Sequence, residues 1–285
     1  MAQERARRFL EELPRIQHDL PYSPGLLQKL FTQTSGNSLA SLEEISETIA
    51  QDQGLTARIL TVANSAFYGL QAKVTTVSRA MAVLGLKEVR AMVLALGVKD
   101  IAKGLKNSPI FDLREYWRHQ LMTASAAEII AVHAGTDYEN MFTAGLLHDL
   151  GKVLIALHSP DDWRAIIMLS AAEDLPHARS EERYWGLEHG LVGSLVLSSW
   201  DLPKALTEPI NWHHSPNQAP EFRRQAEILC VANALAHELS GHKHPIAGPW
   251  RKILEKSGFE EAVLKEEIQR AFKDKNLSQL LNQLV

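Results

Sequence analysis

FTAGLLHDLGKVLIA, residues 142–156, decides how this chain is read, because it sets a histidine, an aspartate and a lysine in a run otherwise apolar or small. Phe142, Leu146, Leu150, Val153, Leu154 and Leu157 recur at steps of three and four, the spacing of a helix with one face turned inward. The pattern predicts a buried helix carrying His148, Asp149 and Lys152 on it or at its edge. Taking an imidazole and a carboxylate out of water is costly unless each is paired or holds a cation. Their partners must be one another, nearby backbone, or a metal ion.

Outward from that stretch the helical signal runs in both directions. Ser23-Pro24 offers a capping hydroxyl before a proline at a first helical position, and Leu26, Leu27, Leu30 and Phe31 follow. Ser41 and Glu44 form a capping box, after which Ile45, Ile49, Leu55, Ile59, Leu60 and Val62 continue the apolar steps until Asn64–Gly69 closes them. Val74 to Val98 reads as two packed helices with an elbow at Gly85. From Phe111 a helix dense in small residues, Ala124 and Ala127 among them, permits close packing. Ser159-Pro160-Asp161-Asp162 opens another, Gly190–Trp200 forms a further run, and a helix from Leu202-Pro203 ends at His213-His214. Gln218 to Arg224 reads as a loop, Ala226 to Leu239 as a helix, and two short helices follow Trp250.

No stretch alternates cleanly enough to pair into a sheet, so the expected fold is all-α, a multi-helix bundle with an N-terminal helical lobe. GLKNSP at 104–109 breaks the pattern and marks the expected boundary. The divisions are an N-terminal lobe over 1–107, a helical lobe with the candidate site over 108–245, and a C-terminal extension over 246–285.

Composition narrows the function classes. Hydrophobic residues at 45% and charged residues at 22% are ordinary globular values, which argue against disorder. One cysteine, Cys230, excludes a disulfide framework or thiolate cluster within the chain and reads as core packing. A net charge of -4 without a basic block argues against DNA as a partner. No apolar run is long enough to span a membrane and the N-terminus has no signal-peptide core, so the expected location is the cytoplasm.

The twelve histidines are the compositional oddity. Five segments offer ligand-type side chains in apolar helical settings: Glu115 with His119, His148 with Asp149, His189, His213 with His214, and Asn233. Glu115 and His119 are four apart and share a helix face. Mixed imidazole and carboxylate donors suit divalent Fe, Mn, Mg, Zn or Ni, one ion or two, and such ions hold phosphoryl oxygens and acidify water. Lys152, a turn beyond His148, is placed to neutralise phosphate charge. Any one of these histidines alone reads as a core or capping residue; the metal reading rests on their convergence. His18, His133, His158, His177, His237, His242 and His244 read as surface or loop residues, and Trp117, Trp163, Trp200 and Trp212 as core aromatics.

LLHDLGK at 146–152 resembles the motif that names the HD superfamily of metal-dependent phosphohydrolases, all-helical proteins binding one or two divalent ions. A longer, ordered set of segments is similar to the HDOD family, the HD-related output domains of bacterial signalling. These are SLEEISETIAQDQGLTARILTVANSAFYG (41–69), VSRAMAVLGLKEVRAMVLALGV (77–98), EYWRHQLMTASAA (115–127), FTAGLLHDLGK (142–152), ERYWGLEHGLVGSLVLSSWDLP (182–203) and INWHH (210–214). The resemblance covers about residues 20–240. It implies a regulatory output module with a signalling protein partner and a partly retained metal site. Against the HD-GYP relatives, which hydrolyse cyclic di-GMP, Glu115, His119, His148, Asp149, Lys152, His189, His213 and His214 fall at matching positions. Asn233 stands where HD enzymes carry their last aspartate ligand, and the GYP signature is missing from 174–183. The alternative implied is an active phosphohydrolase on a nucleotide or cyclic dinucleotide, with Asp149 as ligand and base and Lys152 on phosphate.

Overall fold

The computed structural model describes residues 2–16, 24–35, 38–64, 73–136, 140–241, 245–274, 281–282 and 284–285. Among these no strand occurs, and none of the helices is long and apolar enough to cross a membrane. The N-terminal part comprises α1 (Ala2–Ile16), α2 (Pro24–Gln33), α3 (Leu42–Ala50), α4 (Gln53–Ala63), α5 (Val77–Leu84) and α6 (Leu86–Ala102). Next come α7 (Leu113–His133), α8 (Met141–Leu147), α9 (Leu150–His158), α10 (Pro160–Glu173) and α11 (His177–Trp185). They are followed by α12 (His189–Ser199), α13 (Lys204–Trp212) and α14 (Arg223–Leu239). The chain closes with α15 (Trp250–Ser257) and α16 (Glu261–Asp274). The chain is all-α, as its periodicity requires.

Local chemistry explains most boundaries. The capping box at α3 is present in both halves: Ser41 Oγ accepts from the Glu44 amide at 3.2 Å, and Glu44 accepts from the Ser41 amide at 2.7 Å. Gly85 turns between α5 and α6 with φ 93°, which an L side chain seldom adopts. Asn64 caps α4 and binds Val74 across the following segment, donating to its carbonyl and accepting from its amide, each at 2.7 Å. Ser23, the residues 65–69, and His18, His242 and His244 lie outside the described residues.

Two departures from the periodicity reading have physical causes. The run 142–157 is two helices rather than one, with His148 and Asp149 at the break between α8 and α9. Both side chains then face the interior rather than lying along one helix face. The expected loop at 218–224 is present over residues 219–222, between a short 3-10 turn that ends at Gln218 and the start of α14 at Arg223. Of the four tryptophans expected in the core, Trp117, Trp163 and Trp200 are buried, while Trp212 is half-buried.

The long helix α7 is the spine of the site. It packs on α8, α14 and α16, and α9 packs on α12, which in turn packs on α13. Small residues permit these approaches. A Cβ on Gly145 would lie 2.6 Å from the Ala124 backbone of α7, and one on Gly151 would lie 2.0 Å from the His189 carbonyl of α12. One continuous apolar core joins these helices to those of the N-terminal part, burying Leu27, Ile59 and Val89 together with Trp117, Leu150 and Leu235.

Candidate metal centre

Each candidate side chain reaches one region through a specific local device. At the α8–α9 break, His148 Nδ1–H donates to the Gly145 carbonyl at 2.8 Å, which fixes the tautomer and leaves Nε2 buried with no hydrogen-bond partner. At the end of α13, His213 does the same: Nδ1–H donates to the Ile210 carbonyl at 2.7 Å and Nε2 is unpartnered. His189 opens α12, and its Nδ1–H donates to Glu181 Oε2 at 2.7 Å, an oxygen that also accepts the His189 amide at 2.7 Å. Such fixed orientation of the second ring nitrogen is how proteins aim an imidazole lone pair at a cation.

Two neighbouring clusters result. His189, His213 and His214 offer ligand atoms within 4.8 Å of one another, and so do His119, His148 and Asp149. Asp149 links the two: its Oδ1 lies 2.9 Å from His189 Nε2, and its Oδ2 lies 3.4 Å from His148 Nε2. Lys152 Nζ donates to Asp149 Oδ2 at 2.7 Å, and Gln120 donates to the same oxygen at 3.4 Å. Every one of these imidazoles and the carboxylate is buried.

Burial alone would raise the Asp149 pKa, but His148, Lys152 and His189 hold the carboxyl well below the ordinary range. Burial pushes His148 down to about 4 and holds His119, His213 and His214 well below the usual histidine value. His189 is the exception. Burial lowers it too, yet the Glu181 and Asp149 carboxylates prevail and lift it to about 9.

His119 and Asn233 meet in a direct hydrogen bond. His119 Nε2–H donates to Asn233 Oδ1 at 3.0 Å, and its Nε2 lies 3.7 Å from Asp149 Oδ2. An amide oxygen can only accept, so His119 is held as the Nε2–H tautomer while that bond lasts. Glu115 is brought to the edge of the site and not into either cluster; it is half-exposed and lies 3.5 Å from Arg118.

A cavity of about 300 Å³ opens onto the centre, reaching Asp149, Lys152, His189, His214 and Asn233 with Glu115 on its wall. His177 and His237, which read as surface or loop residues, also line it. His177 packs its ring 5.9 Å from Trp163, and burial lowers its pKa to about 4. Gln120 and Glu181 carry no signal in the motif segments, although Ala178, Glu181 and Trp185 share one helix face. A glutamate on an otherwise apolar stripe is the mark that points to it. Cys230 is buried and its thiol is pushed up to about 12 by that burial, consistent with inert core packing.

The donor set fits a divalent ion: two neutral buried imidazoles with unpartnered Nε2 atoms, His148 and His213, two more imidazoles beside them, one ionised carboxylate, and a second carboxylate orienting His189 from behind. His148, Asp149, His189, His213 and His214 are the residues that would hold it.

Comparison with known proteins agrees with this architecture. Residues 20–216 match the HDOD domain, and the chain belongs to the HDOD family. It is 23% identical over 226 residues to an uncharacterised protein of Treponema pallidum; the match covers 78% of this chain but only 43% of that protein's length. Two crystal structures share the fold. A candidate phosphohydrolase from Shewanella amazonensis is 23% identical with a TM-score of 0.72, covering 97% of this chain and 98% of that one. A candidate signal transduction protein from Marinobacter aquaeolei is 18% identical with a TM-score of 0.79, covering 100% of this chain and 66% of that one.

Proposed function

We propose that this chain is a bacterial signal-transduction output module that acts on a protein partner and holds one divalent ion in its HD-type site. The observation that carries this reading is the pair of buried Nε2 atoms, His148 and His213, each aimed by a backbone bond on Nδ1 and each without a hydrogen-bond partner. Leaving such a polar atom unsatisfied in the interior costs about 1–3 kcal/mol, a cost that ligation removes. The description of the Marinobacter protein supports the signalling role.

One ion, rather than two, follows from His119 and Asn233. Their hydrogen bond occupies the nitrogen of His119 nearest Asp149, and an amide at 233 brings no charge to offset a second cation. When bound, a divalent ion supplies Lewis acidity toward a phosphoryl oxygen and acidifies water. The chain's own part is to orient the imidazoles, to keep Asp149 ionised, and to hold Lys152 at the cavity where an anionic group would approach.

The Lys152 ammonium beside Asp149, facing that cavity, favours a second reading as a phosphohydrolase on a nucleotide or cyclic dinucleotide. Elemental analysis and calorimetry with Mn, Fe, Zn and Ni, followed by turnover assays on cyclic di-GMP and a generic phosphodiester, separate the two. The output-module reading expects one ion per chain and no turnover. It expects Asn233→Asp, by restoring a carboxylate, to raise the stoichiometry. Turnover by the loaded wild-type chain would hand the site to the enzymatic reading, and absence of any bound ion would remove the metal from both.

A further inference from the structure

The glutamate that steadies His189 is itself held from outside the centre. Glu181 Oε2 accepts both the amide and the Nδ1–H of His189 at 2.7 Å, and Glu181 stands on α11 one turn before Trp185, on the same helix face. Trp185 is fully buried, and Phe9 of α1 meets its ring edge to face with centroids 4.6 Å apart. Beside that contact, Arg5 donates to the Tyr184 carbonyl at 3.2 Å and lays its guanidinium 4.1 Å over the Tyr184 ring. The Tyr184 hydroxyl donates in turn to Asp162 at 3.2 Å, so α11 is tied to α10 as well as to α1.

α1 is built as an element that can leave. Ala6, Phe9, Leu10 and Leu13 stand at i, i+3, i+4 and i+7, and this one apolar stripe is turned inward, while Glu4, Arg7, Arg8, Glu11 and Glu12 are exposed. Its principal neighbour is α11. α1 also stands ahead of residues 20–216, which match the HDOD domain, whereas α11 and His189 lie within them. The brace therefore comes from outside the domain it braces. Grooves that bind amphipathic helices anchor them by the same four-position stripe, so a partner with an apolar groove competes with α11 for α1.

We propose that α1 is a releasable brace on the metal centre: seated on α11, it holds Glu181 behind His189, and drawn off, it leaves that ring free to turn away from Asp149. The coupling is reciprocal, because whatever α1 adds to ion affinity the ion returns to the seating of α1. An ion in the centre keeps the apolar stripe of α1 covered, and its loss uncovers the stripe. This second half rests on the reading of the centre as an ion site; the first half does not.

The test compares the full wild-type chain with Arg5→Ala, Phe9→Ala and a control, Leu27→Ala, which opens the core beneath α2 and away from α11. Arg5 is partly exposed, so its replacement keeps the fold even where loss of the Phe9 ring does not. Hydrogen exchange followed by mass spectrometry reports the seating of α1, NMR of the histidine-labelled chain reports exchange of the His189 Nδ1 proton with water, and calorimetry reports zinc affinity. Without metal, both α1 variants are expected to speed exchange of the α1 amides and of the His189 Nδ1 proton, and Leu27→Ala to leave that proton unchanged. Zinc is expected to slow exchange in wild-type α1 by about tenfold and to bind the α1 variants more weakly by a similar factor. Variants that unseat α1 yet leave the His189 proton and zinc affinity at wild-type values would overturn the proposal. So would a Leu27→Ala effect on that proton as large as that of Phe9→Ala. A wild type that binds no zinc removes the ion reading of the centre, and the His189 proton in the metal-free variants still decides whether α1 braces Glu181.

Discussion

At His189 one imidazole meets two carboxylates. Glu181 accepts from Nδ1–H at 2.7 Å and Asp149 lies 2.9 Å from Nε2, and together they outweigh burial to lift the ring's pKa to about 9. At neutral pH the metal-free ring is therefore a cation, standing with Lys152 against the buried Asp149 charge. Ligand atoms must be deprotonated before they bind a metal. Loading an ion is thus expected to release close to one proton from His189, read as a dependence of the calorimetric enthalpy on the ionisation enthalpy of the buffer. An enthalpy independent of buffer would contradict this account. Glu181→Gln removes the charge behind the ring, so the His189 pKa should fall toward its ordinary value and metal affinity should weaken by about 10–100-fold. The sequence pointed to the candidate ligands because His148-Asp149 and His213-His214 stand out in apolar runs. Glu181 was harder to see, because it lies in the string Ser180-Glu181-Glu182-Arg183, and only its place on one face with Ala178 and Trp185 sets it apart from exposed Glu182 and Arg183.

Helices set the distances between those residues, and glycines set how closely the helices approach. α9 can lie against α12 only because Gly151 has no Cβ, since one would sit 2.0 Å from the His189 carbonyl. Gly151→Ala must push α12 outward and carry His189 away from Asp149. Overpacking of this kind costs about 1–3 kcal/mol, so urea denaturation should show that loss and calorimetry a weakened metal site, with the helical circular dichroism retained. α11, which carries Glu181 and His177, is itself held by α1: Phe9 meets Trp185 edge to face with centroids 4.6 Å apart, and Arg5 lies 4.1 Å over the Tyr184 ring. Phe9→Ala should cost about 3 kcal/mol of stability and weaken metal binding through Glu181, although residue 9 is remote from the centre in sequence. Local signals made α3, α5, α6 and α10 legible: the capping box at α3, the glycine elbow between α5 and α6, and the proline and two acids that open α10. Periodicity could not show the break at His148-Asp149, because the apolar steps of α8 and α9 continue in phase across two residues whose side chains turn inward.

Across the whole molecule the buried histidines make stability depend on pH in two opposed ways. His148 and His177 have folded values of about 4, and His119, His213 and His214 lie well below the ordinary value; burial is the first cause in each. The unfolded chain takes up protons near pH 6.5 that the folded chain refuses. Their contribution is therefore present above about pH 6.5 and is lost as pH falls through about 4. His189 runs the other way: with a folded value of about 9, its contribution is complete below about pH 6.5 and is lost as pH rises through 9. Asp149, held below its ordinary range, adds a further loss in acid. The metal-free chain should therefore be most stable near neutrality, with a steep acid limb set by several groups and a shallow alkaline limb set by one. Urea midpoints measured from pH 4.5 to pH 9.5 check the asymmetry, and a stability maximum in acid would refute it. Glu181→Gln separates the limbs, because it should flatten the alkaline one while leaving the acid one in place. Adding a divalent ion should steepen the acid limb further, since every proton taken up by His148 or His213 then competes with the ion for the same Nε2 lone pair.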